Sequence, residues 1–363
     1  MKILILGGTG AMGRYLVDLL VSQNYFIEVT TRQNIKSKNS NLNYIKGNAH
    51  DIFFLKELLK NFYDVIIDFM VYSEVEFKER KEIFLNSTNQ YIFLSSSRVY
   101  SNEKIITEKT LRLLDTIKDK EYLATDEYAI SKARQENILK ESNKKNWTIV
   151  RPYITYSDER LQMGVYEKEH WLYRSLKGKT IIFPKEVAEK YTTLTYGYDV
   201  AKIILKLIGN EKALGKSIHI TTSETMLWMD VIKIYKKIIE KNTDRKFKIK
   251  FSEDLEGISW ALNCRYQLKY DRLFDRKFDN SLINEIIGEK VEYTELELGL
   301  TQCLENFIKN ENKFKNINWK FEAYQDRIVN EKNKLNEIIG IKNKLKYLVY
   351  RYFPMTIINK IKK

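Results

Sequence analysis

The string Tyr128-Ala129-Ile130-Ser131-Lys132 sets a phenol and an ammonium four residues apart, on one face of a helix. A cation beside a phenol favours the phenolate, so a tyrosine placed this way can give or take a proton near neutral pH. Upstream, the apolar run Tyr91–Leu94 ends in Ser95-Ser96-Ser97-Arg98-Val99-Tyr100, and one of these hydroxyls can hydrogen-bond a reacting oxygen. Near the start, Gly7-Gly8-Thr9-Gly10-Ala11-Met12-Gly13 follows the apolar run Ile3–Leu6, a strand-turn-helix spacing that cradles a pyrophosphate. An acid at the end of the second strand would hold both ribose hydroxyls of NAD. Here Thr30-Thr31 is followed by Arg32, whose guanidinium suits the 2′-phosphate of NADP, so NADP is the preferred cofactor and NAD the second choice. His50, His170 and His219 are scattered, and Cys264 and Cys303 join no ligand cluster. No metal site and no disulfide scaffold is expected, and a reducing cytoplasm fits.

These groups need a scaffold, and the 363-residue chain, 44% apolar and 30% charged, is long enough for one large or two modest domains. Short apolar runs alternate with amphipathic stretches through the first 150 residues. Strands are expected at Ile3–Leu6, Phe26–Thr30, Leu42–Ile45, Val65–Phe69, Tyr91–Leu94 and Trp147–Val150. Helices are expected at Met12–Val21 and from about Thr125 through Lys132. This order predicts an α/β fold, a Rossmann-type doubly wound parallel sheet over residues 1–150. Residues 151–330 are expected to form mainly a smaller substrate lobe with some strands returning to the sheet, and 331–363 a basic helical tail.

In this order, the motifs resemble the extended short-chain dehydrogenase/reductase family of nucleotide-sugar epimerases, dehydratases and reductases. The resemblance covers about residues 1–245 and includes Arg151-Pro152 and Tyr198-Asp199-Val200-Ala201. It implies Ser96 as the catalytic hydroxyl, Tyr128 as acid/base and Lys132 as its modulator and a ribose ligand. It implies a cofactor seat of Gly7, Gly10, Ala11, Met12, Gly13, Arg32, Asn48, Phe69 and Met70, with Pro152, Tyr153 and Ile154 against the nicotinamide. A homodimer follows by the same analogy. Several residues depart from the family pattern. Asn48 replaces the usual acid after Gly47, and Phe69 and Met70 replace small residues. Ser97 and Arg98 stand where 4,6-dehydratases carry an Asp-Glu pair, which disfavours dehydration. Hydride transfer at one carbinol remains, as a 4-keto reduction or a 4-epimerisation. The competing reading is a catalytically reduced binding protein, for example for RNA.

Residues 157–196 mix cations and aromatics, including Arg160, Lys168, Trp171 and Arg174, and can bind a nucleotide-sugar diphosphate. Ser97, Arg98 and Arg174 are the candidate substrate contacts. Residues 331–363 hold nine basic and two acidic side chains, half of the chain's net +14. Ile338, Ile341, Leu345, Leu348, Val349 and Tyr352 fall at helical spacing there, before Pro354. Such a helix lies on an anionic membrane surface or docks on its own domain. The N-terminal apolar run is too short for a signal peptide and no window is long enough to span a bilayer, so a cytoplasmic protein is expected, with the inner membrane surface as a further site. No DNA- or RNA-binding motif is present, and nucleic acid is a disfavoured partner.

Overall fold

The computed structural model describes residues 1–310 and 314–353. The chain forms two compact units. The first comprises Met1–Ser157, Thr193–Thr225 and Arg276–Gly299, the second Asp158–Thr192, Met226–Asp275 and Leu300–Lys363.

The first unit is built on seven strands: β1 (Lys2–Leu6), β2 (Phe26–Thr31), β3 (Leu42–Lys46), β4 (Tyr63–Asp68), β5 (Thr88–Leu94), β6 (Trp147–Arg151) and β7 (Lys216–His219). They lie in the order β7-β6-β5-β4-β1-β2-β3, every pair parallel. Alternation along the strands feeds two cores. Ile3, Ile5, Val29 and Ile67 face one side, and Leu4, Leu6, Ile66 and Phe93 face the other. Helices α1 (Gly13–Ser22) and α5 (Gly197–Leu207) cover the first side through Leu16, Leu20, Val200 and Ile204. Helices α2 (Ile52–Leu58), α3 (Glu74–Asn86) and α4 (Tyr128–Lys140) pack on the other through Leu55, Phe77, Phe84 and Leu139. Strand order reverses between β1 and β4, and that switch point is where ligands of such Rossmann-type sheets sit.

One local expectation shifts. Helix α4 begins at Tyr128 rather than Thr125. Glu127 caps it by accepting the Ala129 N–H at 2.8 Å, while Thr125 Oγ1 turns back to the Tyr122 carbonyl at 2.7 Å. Strand β7 is a strand from beyond residue 151 that returns to the sheet, as expected, although Lys-Ser-Ile-His, with one strongly apolar residue, did not mark its place.

In the second unit, strands Thr180–Pro184 and Lys248–Ser252 pair in parallel beside helices Lys168–Leu176, Trp228–Asn242, Trp319–Val329 and Ile341–Tyr352. Helix Ile341–Tyr352 belongs to the tail and docks within this unit through Tyr347, which packs with Tyr173, Trp319 and Ile338. The expected stripe is therefore split: Ile338 points inward with Tyr347, and Leu348 and Val349 are half-buried. Ile341, Leu345 and Tyr352 are exposed. Pro354, the isoleucines beyond it and the last three lysines lie outside the described residues.

Candidate active site

Strand β5 delivers Ser95, Ser96 and Ser97 to the end of the sheet, and all three are buried. Ser95 Oγ donates to Glu136 Oε1 at 2.7 Å, and Ser97 Oγ donates to the Arg151 carbonyl at 2.7 Å. Ser96 Oγ accepts the Arg98 N–H at 3.2 Å, and its own proton goes to no acceptor among the described residues. Of the three, Ser96 alone keeps a hydroxyl donor for something else.

Tyr128 is the first residue of α4 and is half-buried. The Arg98 guanidinium lies 5.6 Å from its ring centroid and pairs with Glu127 at 2.5 Å. Because Arg98 follows Ser96 by two residues and Glu127 precedes Tyr128, this ion pair ties the serine turn to the start of the helix. Glu127 is held in turn by the Tyr122 hydroxyl at 3.2 Å.

One turn along α4, Lys132 is 1% exposed. Its Nζ donates to the Met70 carbonyl at 3.2 Å and sits 4.5 Å from the Phe93 ring centroid. The N–H of the same Met70 goes to Asp68 Oδ1 at 2.9 Å, and Asp68 Oδ2 accepts the Tyr91 hydroxyl at 2.6 Å. Burial pulls the Lys132 ammonium down to about 8, against the charges of Asp68 and Glu136. Burial pushes Asp68 up to about 6, against its bonds from Tyr91 and Met70 and the charge of Lys132.

Another turn on, Glu136 takes a two-pronged bond from Arg151, at 2.7 and 2.6 Å. Burial works to raise its carboxyl, but the Arg151 charge outweighs it, so Glu136 stays below its ordinary range and ionised. Sequence reasoning overlooked Glu136 and Glu127. The signal for Glu136 was present, since Tyr128, Lys132 and Glu136 are evenly four apart.

At the switch point, Gly7 has φ +73°, open to glycine and strained for other residues, and its N–H donates to Thr30 Oγ1 at 3.2 Å. A Cβ on Gly13 would lie 2.5 Å from the Gly8 carbonyl oxygen, so only glycine lets α1 start this close to the turn. A Cβ on Gly10 would meet only the Gly7 carbonyl oxygen, at 3.9 Å, and no side chain caps α1 at Met12. An open cradle under uncapped helix N–H groups fits a dinucleotide pyrophosphate. Phe69 and Met70 run along this turn, with Met70 Sδ 3.0 Å from where a Gly7 Cβ would be.

Arg32 is exposed just past β2. Asn48 is exposed, and its side-chain oxygen accepts the His50 N–H at 3.1 Å. Pro152, Tyr153 and Ile154 are buried past β6, where the Pro152 carbonyl accepts the Ser97 N–H at 2.9 Å and Ile154 holds φ +30°. The candidate substrate contacts fare differently. Ser97 and Arg98 stand at the site, but their polar groups bind Arg151 and Glu127. Arg174 lies in the second unit, fully buried, with its guanidinium on Glu322, Asp326 and Glu331 at 2.9–3.0 Å. Those carboxylates occupy the fork that a diphosphate would need.

A model of the NAD dependent epimerase/dehydratase family matches residues 3–221. The chain belongs to that family. A curated relative, the chloroplast stem-loop binding protein of 41 kDa b from Arabidopsis thaliana, is 27% identical over 234 residues, 58% of this chain and 56% of the relative. The chain thus matches little more than half of that protein's length. Among solved structures, Pal from Bacillus thuringiensis shares 18% identity at a TM-score of 0.63, covering 86% of this chain and 100% of that one. A UDP-glucuronic acid 4-epimerase variant from Bacillus cereus, solved with NAD and UDP-4-deoxy-4-fluoro-glucuronic acid, shares 16% at 0.63, covering 86% and 100%. The dTDP-glucose 4,6-dehydratase of Bacillus anthracis, solved with NAD, shares 17% at 0.64, covering 86% and 97%. At such identities the likeness is one of fold, and it agrees with the epimerase/dehydratase sheet described above.

Proposed function

We propose that this epimerase/dehydratase family member is an NAD(P)-dependent nucleotide-sugar epimerase or reductase working at one hydroxyl or keto carbon. The observation that carries the reading is the uncommitted Ser96 hydroxyl at the end of β5, in the same unit as Tyr128, Lys132 and the open glycine cradle. Gly7, Gly10, Ala11, Met12 and Gly13 would hold the pyrophosphate, and Lys132 the nicotinamide ribose. Arg32, exposed after β2, supports NADP over NAD. Bound there, the dinucleotide supplies or withdraws a hydride at the sugar carbon.

The rest falls to the protein's own side chains. In the reductive direction Ser96 and Tyr128 donate hydrogen bonds to the carbonyl oxygen, and Tyr128 gives up its proton as the alkoxide forms. The buried Lys132 charge then steadies the phenolate. Oxidation of the carbinol runs the same proton transfer backward. Neither Ser97 nor Arg98 offers a carboxylate for proton removal beside the carbonyl, which supports a reaction without dehydration.

The test combines native mass spectrometry across NAD, NADP and a panel of sugar nucleotides with a Tyr128→Phe variant. Tyr128→Phe is expected to keep cofactor binding and lose about 10²–10⁴-fold in turnover. Turnover near wild type removes Tyr128 from the mechanism.

A second reading, RNA binding without turnover, is favoured by one observation, the name of the 27%-identical chloroplast relative. A steeply salt-dependent affinity for stem-loop RNA without dinucleotide uptake would select it.

A further inference from the structure

The helix Ile341–Tyr352 is held to the second unit by polar bonds that set its rotation. The Tyr347 hydroxyl donates to Asp326 Oδ2 at 2.6 Å and accepts the Asn333 N–H at 2.8 Å. Arg351 Nε donates to the Glu331 carbonyl at 3.1 Å, and Ile338, just ahead of the helix, is 1% exposed. With Tyr347 turned inward, a second apolar line stands in water. Ile341 is 77% exposed, Leu345 one turn on is 58% exposed, and Tyr352 two turns further is 56% exposed. Ile339 and Phe353 flank the line at 85% and 48%. An already docked helix with this much apolar surface on its outer face has a second surface to cover.

Charge selects what covers it. The described stretch 338–353 carries four Lys or Arg and no Asp or Glu. Lys342 and Lys346, both exposed, each follow a stripe residue directly. Apolar side chains at the depth of acyl chains, with ammonium groups beside them at headgroup level, match a negatively charged bilayer. A nucleic acid would use the cations and leave Ile341 and Leu345 wet. No helix among the described residues is long and apolar enough to cross a membrane, so the contact is lateral.

We infer that the outer face of this helix, Ile341, Leu345 and Tyr352 with Lys342 and Lys346, seats the protein on an anionic lipid surface. The inference stands whether or not the catalytic reading holds, because no residue of the candidate site takes part.

Full-length protein is co-sedimented with phosphatidylcholine vesicles, with and without phosphatidylglycerol, beside an Ile341→Glu/Leu345→Glu variant. Wild type is expected to pellet with the anionic vesicles only, less so at high salt, and the variant to lose at least about tenfold in partitioning. Both side chains already face water, so the variant should melt as wild type does. Failure of wild type to bind, binding that ignores phosphatidylglycerol, or equal binding by the variant overturns the inference. So does a wild-type dimer that the variant loses in the absence of any vesicle binding, which makes the stripe a contact between copies.

Discussion

Lys132 and Asp68 share the backbone of Met70, the ammonium on its carbonyl and the carboxylate on its N–H. Their charges support each other across a buried space, and the sign of that coupling gives a test. Lys132 is pulled down to about 8 by burial despite Asp68, so kcat/KM should fall as pH rises through about 8 and the ammonium is lost. Asp68→Asn leaves an acceptor for the Met70 N–H but deletes the negative charge. The ammonium then loses support, and the alkaline limb of the pH–rate profile should move to lower pH. A limb that stays in place under Asp68→Asn would detach Lys132 from it. The same logic sets apart the three serines. A hydroxyl matters to catalysis through the proton it has not yet committed, and of these three only Ser96 gives its proton to no acceptor among the described residues.

At the level of elements, the site depends on how the end of β5 meets the start of α4, and the Arg98–Glu127 pair joins them. Both side chains are largely buried, at 14% and 16% exposure, so the pair is screened less than a surface salt bridge. Arg98→Ala, Glu127→Ala and the double variant, compared by kcat/KM, should show a coupling of about 1–3 kcal/mol, with the loss falling on kcat more than on KM. Strands β1 to β6 were legible because each is a short run carrying Ile, Leu, Val or aromatic residues bounded by turn residues, and all but the edge strand β3 bury much of that run. Gly7, Gly10 and Gly13 were legible because a backbone that must come close to a ligand admits little else. Glu127 was not, since its partner lies 29 positions away and only the turn Ser97–Val99 brings Arg98 back to it. Arg174 was misread for a related reason. A cation among aromatics looks like an anion seat until the carboxylates from a distant helix are placed against it.

For the molecule as a whole, those carboxylates define the second unit. Arg174 and Lys179 face Glu322, Asp326 and Glu331, with Asn333 and Tyr347 adding hydrogen bonds to Asp326. Removing one member leaves buried charge without its counterpart. Arg174→Met should therefore lower stability by about 3–5 kcal/mol, seen in urea unfolding. Arg174→Lys keeps the charge without the fork and should fall between the two.

The partners of Arg174 lie 148 to 157 residues further along the chain. A ribosome needs on the order of ten seconds or more to supply that length. Throughout that interval the emerging segment around Arg174 carries a guanidinium destined for a dry interior and has nothing to neutralise it. Completion of this half thus waits until Glu331 has been made, and a premature stop before Glu322 would leave a nascent product for chaperones and proteases.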